Sequence, residues 1–303
     1  MLASTGWAER VAGLTAVRVR SPEAVAERAA ARVRRTRPVG ESGRLMIVAA
    51  DHPGRGVLGV RADPHAMADR SDYLERVCTA LSRPGVDGVL GTPDIIDDLL
   101  LLGVLDGLVV LGSMNRGGLA GAAFETDDRF TGYDAAAVAE ARLDGGKMLL
   151  RIDEADPATA PMLEACARAV SDLAGRGLMA VVEPFMARSE GGGLRNVLTP
   201  DAMVRAVSVA SALGTTSART WLKVPVVPEM DRVMAATTLP ALILGGEVSG
   251  DLQDVLAGWR RALQPPNVRG LIVGRSLLYP PGGDVRAAVD AAVEVVDTTV
   301  RPL

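Results

Sequence analysis

A chain of 303 residues, 48% of them hydrophobic, can bury a large core, and α/β barrels of this length fold as one domain. The formal net charge of −4 leaves no basic footprint for nucleic acid. Only two histidines, His52 and His65, are present, which disfavours a metal centre built from several of them, and no metal is expected.

Met1 to Arg10 carries Trp7, Glu9 and Arg10 and lacks the apolar core of a signal peptide. An Ala-rich stretch from Ser21 to Arg35 reads as helical, so residues 1–43 form a helical extension packed on a unit spanning 44–303. Its charges, among them Glu23, Glu27, Arg32, Arg34 and Arg35, read as solvated helix faces. Strands are predicted at Leu45–Ala50, Val86–Gly91, Leu108–Gly112, Lys147–Ile152, Leu178–Val182, Thr220–Val224, Ala241–Leu244 and Gly270–Val273. Helical patterns lie between them, at Ser71–Leu81, Pro161–Ala174 and Asp201–Leu213. The glycine-rich segment Ser113–Asp134 is expected to be a loop over the site mouth. Cys78 and Cys166 sit in apolar helical patterns as small buried hydrophobes. The longest apolar run, Ile95 to Leu111, is broken by Asp97, Asp98 and Asp106, against a membrane span. A soluble, cytoplasmic protein is expected; a homo-oligomer is compatible with the sequence and not specified by it.

Continuous apolar strands alternating with helices indicate a parallel sheet covered on both faces. No GxGxxG follows the first strand, and polar residues cluster at the carboxyl ends of many strands. In a closed barrel those ends converge on one site, whereas an open sheet uses only its switch point. The expected fold is therefore an α/β (β/α)8 TIM barrel.

Side chains alternate between barrel interior and helix layer. In the sixth strand Leu222 and Val224 suit the helix layer, which turns Lys223 inward. The same parity directs Lys147 and Arg151 inward on the fourth strand, Glu183 on the fifth and Asp51 on the first. Two lysines and two carboxylates inside one barrel exceed what a structural ion pair needs. A register error of one residue, placing them on the surface, is the bland alternative. A lysine titrates at about 10.4 and becomes nucleophilic when burial or a nearby cation lowers that value. Lys147 can supply such a cation. Lys223 would then attack a carbonyl and form an iminium that accepts electrons as a carbon–carbon bond breaks. Glu183 would carry protons, and Asp51 would hold substrate hydroxyls or share the acid–base work.

The runs Leu222-Lys223-Val224-Pro225-Val226, Lys147-Met148-Leu149-Leu150 and Val182-Glu183-Pro184 resemble class I aldolases related to tagatose-bisphosphate aldolase. That resemblance implies a barrel with a Schiff-base lysine on the sixth strand, no cofactor, and essential residues at Asp51, Lys147, Glu183 and Lys223. The chain also resembles deoxyribose-phosphate aldolase-like barrels associated with myo-inositol catabolism. This second resemblance implies 2-deoxy-5-keto-gluconate 6-phosphate as substrate, cleaved to dihydroxyacetone phosphate and malonate semialdehyde. Deoxyribose 5-phosphate and a ketose bisphosphate are the alternatives. The stretch Asp51-His52-Pro53-Gly54-Arg55-Gly56 departs from the tagatose enzymes' pattern, which bears on sugar specificity.

A phosphorylated sugar would place its phosphate at Gly245, Gly246, Gly274 and Arg275, with Ser249 assisting, because barrels often bind phosphate after the last two strands. The same glycines can equally make turns. His52, Arg55, Arg116 and Arg151 are candidate substrate contacts, and Arg188 is a further candidate for a carboxylate. A non-catalytic phosphosugar-binding barrel would keep the glycines and Arg275 but has no need of Lys223 inside. A Ser-His-Asp hydrolase finds no GxSxG elbow.

Overall fold

The computed structural model describes residues 6–40, 42–190, 193–245 and 252–300. Nine strands are present among them: β1 (Leu45–Ala50), β2 (Gly88–Gly91), β3 (Val109–Ser113), β4 (Gly145–Ile152), β5 (Met179–Glu190), β6 (Gly193–Asn196), β7 (Thr220–Val224), β8 (Ala241–Leu244) and β9 (Val268–Val273). The hydrogen-bonded order β4-β3-β2-β1-β9-β8-β7-β5 closes on itself through β4–β5 pairing. All eight pairings in that ring are parallel. The result is the expected (β/α)8 barrel, with helices before β1.

Strand parity sorts the apolar residues into two cores. Leu45, Ile47, Ala49, Leu111, Val181, Leu242 and Ile272 fill the barrel interior. Their neighbours Met46, Val48, Ala50, Leu222 and Val224 pack against the helices. Each Leu, Ile, Val or Met side chain buried fully contributes about 1.5–3 kcal/mol. Between β8 and β9 the register slips by one residue. Gly270 sits there at φ +143°, and a Cβ on it would lie 1.9 Å from the Leu45 carbonyl oxygen. Glycine is what permits this bulge beside a neighbouring backbone.

Two features depart from the sequence reading. The fifth strand runs past Val182 to Glu190 and returns antiparallel as β6, a hairpin outside the ring. Pairing to β7 stops at Val182, so Pro184 falls where the strand needs fewer partners. The second departure concerns Arg32, Arg34 and Arg35, which are not all on a solvated helix face. The Ala-rich helix ends at Ala31, and the chain then crosses the amino-terminal end of the barrel. There Arg32, buried, meets Asp144 Oδ2 at 3.3 Å and donates to the Leu108 carbonyl at 3.0 Å. Arg34 binds Asp144 Oδ1 at 2.9 Å, and Arg35 binds Asp87 Oδ1 at 2.9 Å. Asp144 and Asp87 also accept the strand N–H groups of Val110 and Met46. Val39 packs on the interior core, completing this closure. No helix among the described residues is long and apolar enough to cross a membrane.

Candidate active site

At the carboxyl end of the barrel, parity and register place four charged side chains together. Lys147 pairs in register with Val181 on β5, Glu183 lies two residues beyond Val181, and Lys223 follows Leu222 on β7. Asp51 is the residue after β1. All four are buried. Glu183 joins the amines: its Oε1 lies 3.0 Å from Lys223 Nζ, and its Oε2 contacts Lys147 Nζ. Lys147 Nζ also lies 3.5 Å from Asp51 Oδ2. That same Asp51 oxygen contacts Arg116 Nη2 and accepts from Ser113 Oγ at 3.2 Å. The register error that would have put these residues on the surface does not occur.

Burial disfavours charge, and opposite charges restore it. Burial alone would raise Glu183, but Lys147 and Lys223 bring it down to about 2. Asp51 is likewise pushed up by burial and then held well below the usual carboxylate range by Arg116, Lys147 and Lys223. Lys147 is lowered by burial to about 8, against the attraction of Glu183 and Asp51. The cluster therefore offers an ionised carboxylate that can accept a proton and an ammonium that can release one near neutral pH.

These groups face a cavity of about 840 Å³. Among the described residues, seven cationic side chains line it (Arg55, Arg116, Lys147, Arg151, Arg195, Lys223 and Arg275) against three carboxylates, Asp51, Glu125 and Glu183. In a chain of net charge −4, that concentration of positive charge focuses anions into one mouth. Gly245, Gly274, Arg275 and Ser276 lie along one side. A Cβ on Gly274 would come within 2.3 Å of the Ala49 carbonyl oxygen, and one on Gly245 within 2.6 Å of Val273. Close packing thus demands glycine at both positions, whatever an anion also requires. Gly246 and Ser249 lie outside the described residues.

The expected carboxylate receivers are differently employed. Arg55 binds Asp128 at 2.5 Å and the carbonyls of Asn115 and Gly118, Arg151 binds Glu125 at 2.9 Å, and Arg116 is on Asp51. Each lines the cavity but is already matched by a carboxylate. Arg188 is not in this cavity; it borders a separate hollow with Glu154 and Arg205. His52 does line the cavity. Burial lowers it to about 3, so its ring is neutral, and its buried Nδ1 has no hydrogen-bond partner among the described residues. The sequence reading missed Ser113, Asn115, Glu125, Asp128 and the β5–β6 hairpin. One signal was legible: the acidic run at 125–128 supplies Glu125 and Asp128, which meet Arg151 and Arg55.

The profile of the Cgl0159-like family matches residues 43–293. The chain belongs to the Cgl0159-like family. The crystal structure of Cgl0159 from Corynebacterium glutamicum is 52% identical to it and superposes with a TM-score of 0.93, over 96% of this chain and 98% of that one. None of the curated proteins compared with it matches. The Cgl0159-like fold is shared more distantly with a Schiff-base-forming fructose-1,6-bisphosphate aldolase, at 19% identity and TM-score 0.62, over 90% and 99% of the two chains. A fructose-bisphosphate aldolase from Slackia heliotrinireducens gives 18% and 0.65, over 85% and 86%. At these identities the likeness is one of fold, and function has to be argued from the site.

Proposed function

We propose that this protein is a class I aldolase in which Lys223 forms a Schiff base with a phosphorylated keto sugar acid. The carrying observation is Glu183 bridging two buried lysines at the wall of a cationic cavity. Glu183 Oε1 stands where it can take a proton from the Lys223 amine. The neutral nitrogen then adds to the substrate ketone, and the carbinolamine oxygen leaves as water after protonation, for which Lys147 is the donor. In the iminium, a base removes the proton of the hydroxyl on the β carbon, the far end of the bond to be broken. That oxygen becomes an aldehyde carbonyl, the carbon–carbon bond electrons move into an enamine, and the iminium nitrogen becomes neutral. Protonation of the enamine carbon and hydrolysis return Lys223 and release the ketone product.

For 2-deoxy-5-keto-gluconate 6-phosphate this sequence yields dihydroxyacetone phosphate and malonate semialdehyde. The phosphate is assigned to the side carrying Gly245, Gly274 and Arg275. Since Arg55, Arg116 and Arg151 are each matched by a carboxylate, the support for the acid end of this substrate is the cavity's excess of positive charge rather than a dedicated arginine fork.

Purified protein assayed for dihydroxyacetone phosphate release from this compound, from deoxyribose 5-phosphate (as an aldehyde assay) and from ketose bisphosphates tests the reading. Release from the keto acid is expected. Cleavage confined to deoxyribose 5-phosphate would overturn the substrate, and cleavage of none would favour a phosphosugar-binding barrel.

A further inference from the structure

The segment after β3 does more than cover the mouth. Asn115 is fixed to β4 by two hydrogen bonds, from its Nδ2 to the Leu149 carbonyl at 2.6 Å and from the Leu149 N–H to its Oδ1 at 2.8 Å. Further along, Asp128 is tied to Arg55 and accepts from the Gly118 N–H at 2.9 Å. Glu125 is tied to Arg151 and accepts from the Gly121 N–H at 2.8 Å. A buried ion pair, a second that is partly buried, and a buried amide therefore hold a short roof, and the side chain it sends into the barrel is Arg116, buried against Asp51.

Charge counting gives this contact a purpose. With both lysines protonated, Asp51 and Glu183 are balanced by Lys147 and Lys223. An attacking Lys223 has to be neutral. The proton it gives to Glu183 can pass along Lys147, which touches both carboxylates, so either Glu183 or Asp51 can come to hold it. Arg116, which stays charged under all working conditions, contacts Asp51 and keeps that proton on Glu183. We propose that Arg116 is a positioning residue, a built-in counter-ion that keeps Asp51 ionised as an anchor for a substrate hydroxyl while Lys223 sheds its proton. It follows that Asp51 is not a proton carrier, which leaves proton transfer to Glu183 and Lys147. The groups that face Asp51 besides Arg116 are Lys147 from β4, Glu183 from β5, Lys223 from β7, Ser113 from β3, the adjacent His52, and Tyr73 from the helix Arg70–Leu81. Arg116 is the largest lowering influence among them.

The catalytic part of this proposal rests on the aldolase reading; the charge on Asp51 does not, and the experiment separates the two. The carboxyl carbon of Asp51, labelled with ¹³C and assigned by its absence in Asp51→Asn, is titrated by NMR in wild type, Arg116→Met and Arg116→Lys. Asp51 is expected to take up its proton at least one pH unit higher in Arg116→Met and to return toward wild type in Arg116→Lys. An unshifted titration in Arg116→Met overturns the proposal. Turnover should fall in Arg116→Met and recover in Arg116→Lys together with the Asp51 titration; a loss that Arg116→Lys does not recover also overturns the proposal. Should Arg116→Met fail to fold, Asp128→Asn loosens the roof from Arg55 and is expected to shift Asp51 in the same direction by less; no shift there counts against the roof. If wild type turns over no phosphosugar, the aldolase reading falls while the titration of Asp51 still decides the role of Arg116.

Discussion

The two ends of the barrel both bury charge, and they do it differently. At the amino-terminal end Asp144 is shared by Arg32 and Arg34, and its remaining capacity goes to a strand N–H. Each arginine also donates to a backbone carbonyl, and the hollow beside Arg32 is about 60 Å³. At the carboxyl end the cations in direct contact with Glu183 are lysines, compact charges that can lose a proton, and the cavity they face is about 840 Å³. Arginine resists deprotonation and forks onto planar acceptors, whereas a buried lysine shifts its pKa readily. Burial of charge therefore does not by itself mark a reactive site. What sets the carboxyl end apart is lysine–carboxylate contact beside open space.

The largest effect that would sharpen this contrast is at Lys223. Lys223→Ala is expected to lower turnover by roughly 10³-fold or more while thermal unfolding and circular dichroism stay near wild type; retained turnover would break the assignment. The reverse pattern is expected at the other end. Asp144→Asn leaves Arg32 buried without its counter-ion and should cost about 3–5 kcal/mol of stability, read by denaturant unfolding, with turnover per folded molecule unchanged. An Asp144→Asn enzyme that is stable but inactive would contradict the division between the two ends.

Lys147→Met should reduce turnover by roughly 10²-fold. Because burial sets Lys147 at about 8, its donating form is lost as pH rises through that value. The alkaline limb of the wild-type profile near pH 8 should disappear in the variant. His52 gives the smallest effect. Its folded value of about 3 lies below its ordinary 6.5, so unfolding takes up a proton between those limits and stability falls as pH drops through them. The slope this adds is at most about 1.4 kcal/mol per pH unit, and His52→Gln should flatten the stability curve there.

Much of this was legible in the chain because strands buried on both faces show their parity through Leu and Val neighbours, as at Leu222-Lys223-Val224. The barrel, its strand positions within a few residues, and the grouping of Asp51, Lys147, Glu183 and Lys223 all followed from that pattern. Arg32 was misread because an arginine at the end of an Ala-rich helix looks the same whether it meets water or a distant Asp144. The pairings of Arg55, Arg116 and Arg151 were hidden for a related reason: one member of each pair, Asp128, Arg116 and Glu125 respectively, lies in a loop with no periodicity, where nothing in local spacing says which acid meets which base. The extension of β5 was hidden by Pro184 and by the polar Arg188-Ser189-Glu190, which resemble a turn once pairing to β7 has ended.

The central claim is a covalent one at a single nitrogen. Protein incubated with dihydroxyacetone phosphate and reduced with borohydride should gain the mass of one reduced ketone adduct, mapped by peptide sequencing to Lys223 and missing in Lys223→Ala. An adduct mapped instead to Lys147, or none at any pH between 6 and 9, would contradict the account.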